Sequence, residues 1–300
     1  MNVGRNLVIV KVFGGLGNQM FQYATGQALA MRVCQPMEVD TRSIDREGIA
    51  RNGFELSRVF MVDPEQASNR SVSKLLGWRS PRLAQRVLRR LNRPRLCAPY
   101  VSEPHFHYWP AFEALGGSCY LDGYWQSFQY FAAIDSKLRS DFRFRLHLDG
   151  ENARIAHEIA TAPRSVSIHV RRGDYVTSSQ AASHHGTAGA DYYRAAIELV
   201  SICLIEAPRF FVFSDDIAWA RSNLTLPEDT VFVAHNSGPA SHFDMRLMSC
   251  CQHNIIANSS FSWWAAWLNP NPTKMVVAPE RWVLAPYDTS TLTPPTWTRI

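Results

Sequence analysis

The chain has 300 residues, 46 % of them hydrophobic, which is enough for one large or two medium domains with buried cores. Its net charge of +5 is local: residues 70–95 carry nine Lys/Arg and no acid. The rest is slightly acidic, so a generally basic nucleic-acid binder is not indicated, and no uncharged apolar run reaches the ~18 residues of a membrane span. The opening NLVIVKVF is too short for a signal peptide and contains a lysine. The six cysteines include no C-x-x-C pair, which suits reduced, buried thiols in the cytoplasm. Nine Trp, ten Tyr and sixteen Phe serve a core first, and sugar-stacking platforms second.

In chain order, residues 7–13 are apolar and β-branched and predict a buried strand. GGLGNQ follows at 14–19, then apolar residues at helical spacing (Met20, Ala24, Ala28, Met31) predict a helix over 20–33 with Asn18 as its cap. A strand is expected over 37–40. Residues 72–91 read as one basic helix, and 120–131, YLDGYWQSFQYF, as an aromatic strand or turn leading into a helix. Residues 141–160 look like a junction, and the expected domains are 1–155 and 156–300. Strands are then predicted at 165–170, 209–213, 230–234, 254–257 and 275–278, and helices at 192–203 (capped by Asp191), 216–222, 243–250 and 260–268. This alternation predicts an α/β fold with a doubly wound parallel sheet in the C-terminal half.

Ligands of such sheets bind beyond the carboxyl ends of the strands. Four predicted strand exits carry polar residues: Arg171, Arg172 and Asp174; Ser214, Asp215 and Asp216; His235 and Asn236; Asn258, Ser259 and Ser260. Two guanidinium groups grip phosphate, and hydroxyls with free N–H groups at a helix start form an anion site. Together they suit a nucleotide diphosphate, with Asp215 available to a guanine edge. Singly, each has a blander reading: a surface ion pair for the RGD at 172–174, a cap for the serines. No D-x-D occurs, no Cys/His spacing fits zinc, and His184 and His185 sit in a loop-like stretch, so no metal and no cofactor are expected. Gly15 and Gly17 with Asp40 at the next strand end resemble a dinucleotide fingerprint, but the third glycine position is Met20, which is too bulky.

GGLGNQMFQYA (14–24), HVRRGDYV (169–176) and NIIANSSFSWWAAWLN (254–269) together resemble the α-1,2-fucosyltransferases of glycosyltransferase family 11. FSDD (213–216), DGYWQS (122–127) and DMRLMSCCQHN (244–254) agree, in the family's order; residues 41–100 match least. The resemblance implies a GT-B-like fold of two Rossmann-like domains and an inverting, metal-independent transfer from GDP-β-L-fucose to the 2-hydroxyl of a terminal β-galactoside. It implies that Arg171 holds the β-phosphate and that His169 and Asp215 lie near guanine or ribose. Ser259, Ser260 and Phe261 would cradle phosphates and base, and Asn18 would reach phosphate or fucose from the first domain.

The expected donor set is therefore Gly17, Asn18, His169, Arg171, Arg172, Asp215, Asp216, Asn258, Ser259, Ser260 and Phe261. Arg171 and Asp174 are the catalytic candidates; Asp122, Tyr124 and Trp125 are the acceptor candidates. The proton acceptor stays open among Asp122, Glu103, His105, Asp174 and the departing phosphate. The expected acceptor is a galactose-terminated oligosaccharide or lipid-linked glycan of a surface polysaccharide. The basic stretch 70–95 is either a solvated helix face or a contact with an anionic membrane surface, which would put the enzyme in the cytoplasm or on the inner face of the cell membrane. The alternatives are a glycosyltransferase for another sugar nucleotide and a non-catalytic nucleotide- or glycan-binding protein.

Overall fold

The computed structural model describes residues 6–44, 52–94, 97–173 and 186–300. The chain forms two compact units, Met1–Arg145 with Tyr287–Thr293, and Leu146–Pro286 with Pro294–Ile300. The expected boundary at 155/156 would cut a helix, Gly150–Thr161. The chain instead leaves the first unit ten residues earlier, and its C-terminal stretch returns once to that unit before ending in the second.

In chain order the first unit contains β1 (Val8–Lys11), α1 (Leu16–Arg32), β2 (Met37–Asp40), α2 (Leu56–Val59), α3 (Asn69–Leu76), α4 (Arg82–Leu91), β3 (Tyr100–Ser102), β4 (Cys119–Asp122) and α5 (Asp135–Asp141). The four strands pair in parallel in the order β2-β1-β4-β3. β1 is central, so Val8, Ile9 and Val10 are buried from both sides, as parallel strands usually are.

α1 starts at Leu16, capped by Gly15, four residues before the apolar periodicity suggested; Asn18 lies inside its first turn and is not the cap. Periodicity failed there because the buried face is partly polar. Gln19 donates to the carbonyls of Gly14 (3.0 Å) and Gly53 (2.9 Å) and accepts from the Glu55 N–H, while Gln22 accepts from the Phe13 N–H. These bonds offset the cost of burying two amides. Gly14, at φ +76, makes the turn between β1 and α1.

The expected single helix over 72–91 is two. Ser68 caps α3 by accepting from the Ser71 N–H at 2.9 Å, Gly77 (φ +54) opens a 3-10 turn over Gly77–Arg79, and Pro81 restarts the chain as α4.

The second unit contains α6 (Gly150–Thr161), β5 (Ser165–Val170), α7 (Ala190–Cys203), β6 (Arg209–Ser214), α8 (Ile217–Asn223), β7 (Val231–Val233), α9 (His242–Cys250), β8 (His253–Ile255), α10 (Ser260–Leu268), β9 (Val276–Ala278) and β10 (Thr298–Arg299). The predicted elements recur within a few residues; α6 and β10 are additional. All six strands are parallel, in the order β7-β6-β5-β8-β9-β10. Three strands are laid down one way from β5 and three the other way from β8, a doubly wound sheet whose switch point lies between these two strands. Val166, Ile168 and Val170 of β5 pack with Phe210 and Val212 of β6 and with Tyr193, Ala196 and Val200 of α7. Each such side chain contributes ~1.5–3 kcal/mol of apolar burial.

The caps are Gly189 for α7, with Asp191 in its first turn, and Asp216 for α8, which accepts from the Trp219 N–H at 3.0 Å. All six cysteines are free; Cys97, Cys119 and Cys251 are buried as expected, whereas Cys34, Cys203 and Cys250 are exposed.

Candidate functional site

Three of the four polar exits, those of β5, β6 and β8, lie on adjacent strands of the second unit, beside the point where its topology switches. β5 ends at Val170, and Arg171 and Arg172 follow as the chain leaves the sheet. The adjacent β6 delivers Asp215 and Asp216, since Val170 pairs with Ser214. Asp215 uses both carboxylate oxygens: one pairs with Arg171 Nη1 at 2.8 Å and the other accepts the Arg172 backbone N–H at 2.8 Å. The Arg172 guanidinium lies 4.2 Å over the Trp219 ring and 3.5 Å from Asp216. Both arginines are thus held in place before any ligand arrives, half-buried and facing the edge where strand ends meet solvent.

His169 is the last-but-one residue of β5. Burial pushes its imidazole down to about 4; Asp215 opposes the shift and Arg171 adds to it. It is therefore neutral near pH 7. Its Nδ1 is buried and has no hydrogen-bond partner among the described residues, while its carbonyl accepts from Tyr193 Oη at 2.9 Å. The Phe261 ring lies 5.8 Å from the imidazole, which brings the start of α10 to the end of β5.

Ser259 caps α10 by accepting from the Phe261 N–H at 3.3 Å, with Ser260 as the first helical residue. Asn258 is buried and donates to the carbonyls of Gly186 and Trp282, so its amide ties two loops together. Asp174, His184 and His185 lie outside the described residues. His235 and Asn236 lie apart from Arg171 and Ser259, at the exit of the edge strand β7, in a half-buried polar cluster: Asn236 donates to Asn152 (2.8 Å) and Asp244 (2.7 Å), and the His235 ring meets Asn152 at 2.9 Å. Burial raises the Asp244 carboxyl to about 7, against the Asn236 bond.

The first unit has its own polar edge, at the ends of β1 and β4. Asn18 accepts from Gln126 Nε2 at 2.7 Å, and Gly17 is buried beneath it in α1. Glu103, just past β3, accepts the backbone N–H groups of Tyr124 (2.7 Å) and Trp125 (2.9 Å) and so staples the DGYW turn. Burial lifts its carboxyl to about 8, with those two N–H groups opposing. A Cβ on Gly123 would lie 2.4 Å from Glu103 Cβ, so this turn admits only glycine.

Two acceptor candidates have other work here. Asp122 is buried and receives Tyr100 Oη (2.6 Å), Arg89 (2.5 Å) and Lys11 (3.5 Å). Tyr100 and Arg89 both bind Oδ2, while the buried Oδ1 has the Lys11 ammonium as its neighbour and no hydrogen bond among the described residues. Trp125 is fully buried against Phe112 and Tyr130, with no face left for a sugar. Tyr124 is exposed and edge-on to Phe13. Asp40, the ribose-acid position of the dinucleotide reading, is likewise committed to Arg42 and Tyr120. Burial would raise it, but those hydrogen bonds win and hold it low.

Sequence reasoning did not single out Gln126, Asn152 or Asp244. Two of them stand inside the quoted motifs DGYWQS and DMRLMSCCQHN, so their signal was present. Among the described residues no three His, Cys, Asp or Glu group as a metal site would need, and no helix is long and apolar enough to cross a membrane.

The chain is similar to known proteins over most of its length. The description Glycosyl transferase family 11 matches residues 111–300. An α-1,2-colitosyltransferase of Escherichia coli is 31 % identical over 92 % of this chain and 92 % of its own length. The O-antigen biosynthesis glycosyltransferase WbnK of E. coli is 32 % identical over 95 % and 97 %. Galactoside α-(1,2)-fucosyltransferase 1 of Ateles belzebuth is 30 % identical over 49 % of this chain and 42 % of its own. Among solved structures, the α-1,6-fucosyltransferase NodZ soaked with GDP-fucose superposes with a TM-score of 0.55 at 17 % identity, over 89 % of this chain and 93 % of that one. Arabidopsis thaliana FUT1 in complex with GDP gives 0.53 at 12 %, over 93 % and 71 %. These likenesses fix the fold as GT-B. With the family match over residues 111–300 and two relatives spanning nearly the whole chain, the protein belongs to glycosyl transferase family 11 and is a glycosyltransferase of the fucosyltransferase type.

Proposed function

We propose that the chain transfers L-fucose from GDP-β-L-fucose to the 2-hydroxyl of a terminal β-galactoside, with inversion and without a metal, in the synthesis of a bacterial surface glycan. The observation that carries this reading is the Arg171–Asp215 pair at the exits of β5 and β6, beside the switch point of a doubly wound sheet. A fucosyl donor breaks its C1–O bond with the electron pair leaving on the β-phosphate. Arg171, already oriented by Asp215, stabilises that growing charge. Arg172 neutralises the remaining phosphate charge, which removes the need for a divalent ion. We assign Asp215 to orienting the arginines, and the base to the surroundings of His169, Asp216 and Phe261. Ser259 and Ser260 open α10 toward the phosphates.

The first unit takes the acceptor, with Asn18, Gly17 and Tyr124 on its edge. The galactose O2 attacks C1 from the face opposite the departing phosphate. Its proton goes to Asp174 or to that phosphate, because Asp122 and Glu103 are already engaged. A galactose-terminated oligosaccharide, free or lipid-linked, fits this chemistry, and a cytoplasmic location gives access to the nucleotide sugar.

The test is transfer from GDP-fucose to lactose with EDTA present and the linkage read by NMR. An α-1,2 product is expected. GDP binding without product moves the doubt to the acceptor, and the absence of both product and GDP binding rejects the donor assignment. A second reading, transfer of the 3-deoxy sugar colitose, is favoured by the E. coli relative described above. Competition between the two nucleotide sugars separates them: whichever gives the higher kcat/KM is the donor.

A further inference from the structure

α4 is amphipathic, but its apolar stripe faces the wrong way for a core helix. Leu88 is its only buried residue, and Arg89 reaches inward to Asp122. These two contacts dock the helix on the first unit. On the outer side Leu83 (72 % exposed), Val87 (51 %) and Leu91 (57 %) recur at i, i+4 and i+8 as a continuous stripe. Arg82, Arg86 and Arg90 recur one residue earlier and flank it; all three are exposed. Trp78, 66 % exposed with the Arg79 guanidinium 4.6 Å from its ring, continues the apolar surface from the preceding 3-10 turn. A cavity of about 570 Å³ opens beside it, between Trp78, Arg79, Arg90, Leu91 and Arg93.

A solvated helix face would be charged throughout. Leaving three large aliphatic residues and a tryptophan bare exposes a contiguous apolar patch, which marks a contact surface. The chemistry of the patch selects the partner. No acidic residue occurs between Gln66 and Ser102, so the partner is anionic. An apolar stripe bordered by arginines, with an interfacial tryptophan at its end, matches a helix lying in the headgroup layer. RNA offers the charge without an acyl layer to take up Leu83, Val87 and Leu91.

We infer that α4 and the Trp78 turn form a docking surface for an anionic lipid bilayer, with the leucine stripe inserted among the acyl chains and the arginines on the headgroups. The cavity at Arg90 and Arg93 then receives a lipid phosphate. This inference does not depend on the donor or acceptor assigned above.

The experiment is flotation of the full chain with phosphatidylcholine vesicles containing or lacking phosphatidylglycerol. Binding is expected only to the anionic vesicles, and less at high salt. Arg82→Gln, Arg86→Gln and Arg90→Gln should each weaken partition roughly fivefold. Leu83→Ser, Val87→Ser and Leu91→Ser combined keep the charge and should abolish flotation. Transfer to a free oligosaccharide in solution should be unchanged in both sets, which shows that they fold. The inference is overturned by failure to float with anionic vesicles at low salt. It is equally overturned if the serine variant floats like the parent, or if the parent binds heparin and RNA as tightly as vesicles; the patch would then be a polyanion contact.

Discussion

At the scale of single residues, the donor site depends on one carboxylate serving two arginines. Arg171→Ala should fold normally and lower kcat by about a hundred- to a thousandfold, the usual effect of losing one preorganised donor to a developing negative charge. Asp215→Asn keeps an acceptor for the Arg172 N–H but removes the charge facing Arg171. It should cost about tenfold in kcat with little change in GDP affinity, a split that steady-state kinetics and calorimetry read directly. A wild-type kcat for Arg171→Ala sinks the assignment. The residues proposed for this site were picked from the sequence chiefly because Arg171, Arg172, Asp215 and Asp216 stand at predicted strand exits, and the structure keeps them there. Asp122 and Trp125 were not legible: whether a carboxylate faces a sugar or an arginine reaching in from a helix, as Arg89 does, depends on the other side of the sheet, and strand alternation does not reveal that partner.

At the scale of elements, the DGYW turn is the tightest join in the first unit. Gly123→Ala would push a methyl against Glu103 Cβ and strain a turn that already holds Trp125 at φ +56. It should lower stability by about 1–3 kcal/mol, as overpacking does, and should raise the KM for acceptor more than that for donor. Thermal melts and a two-substrate titration check both halves. Most elements of the second unit were readable to within a few residues, because β-branched strands and helices alternate with polar exits; α6, in the stretch read as a junction, and β10 were not. The first unit was read less well. The start of α1 was hidden by buried glutamines that break its apolar period, and the split of α3 from α4 rests on Gly77 and Pro81, which a basic, leucine-rich run disguised.

At the scale of the molecule, pH acts on the second unit through two buried groups of opposite sign. His169 titrates near 6.5 when unfolded and near 4 when folded, so the unfolded chain binds the extra proton between these values. Stability from this group rises with pH from 4 to 6.5 and is complete above. Asp244, ordinarily 3.8, holds its proton to about 7 in the fold, so its contribution falls as pH rises from 3.8 to 7. Glu103 of the first unit, ordinarily 4.5 and held protonated to about 8, adds a fall of the same sign as that of Asp244. His169 offsets only one of the two, so wild-type melting should fall as pH rises from 4.5 to 6.5. Asp244→Asn keeps the acceptor for Asn236 and removes the other fall, so its melting temperature should drop less over that interval than the wild type's. Equal slopes in the two proteins contradict the raised Asp244 carboxyl.

The return of the chain near its end has a practical meaning for dissecting the enzyme. Residues 287–293 belong to the first unit, where the Thr291 hydroxyl accepts from the Tyr108 N–H and its carbonyl accepts from Ser127 Oγ, both at 2.7 Å. Residues 294–300 belong to the second, where β10 pairs with Val277 and Ala278 of β9. One knife stroke at Arg145 therefore yields no pair of whole halves. The N-terminal fragment lacks its clasp, and the C-terminal fragment carries a strap cut for a different buckle. A stop codon after Pro286 should lower the melting of both units at once. Supplying a peptide of residues 287–300 in trans should restore them together, whereas a peptide of 287–293 should rescue only the first.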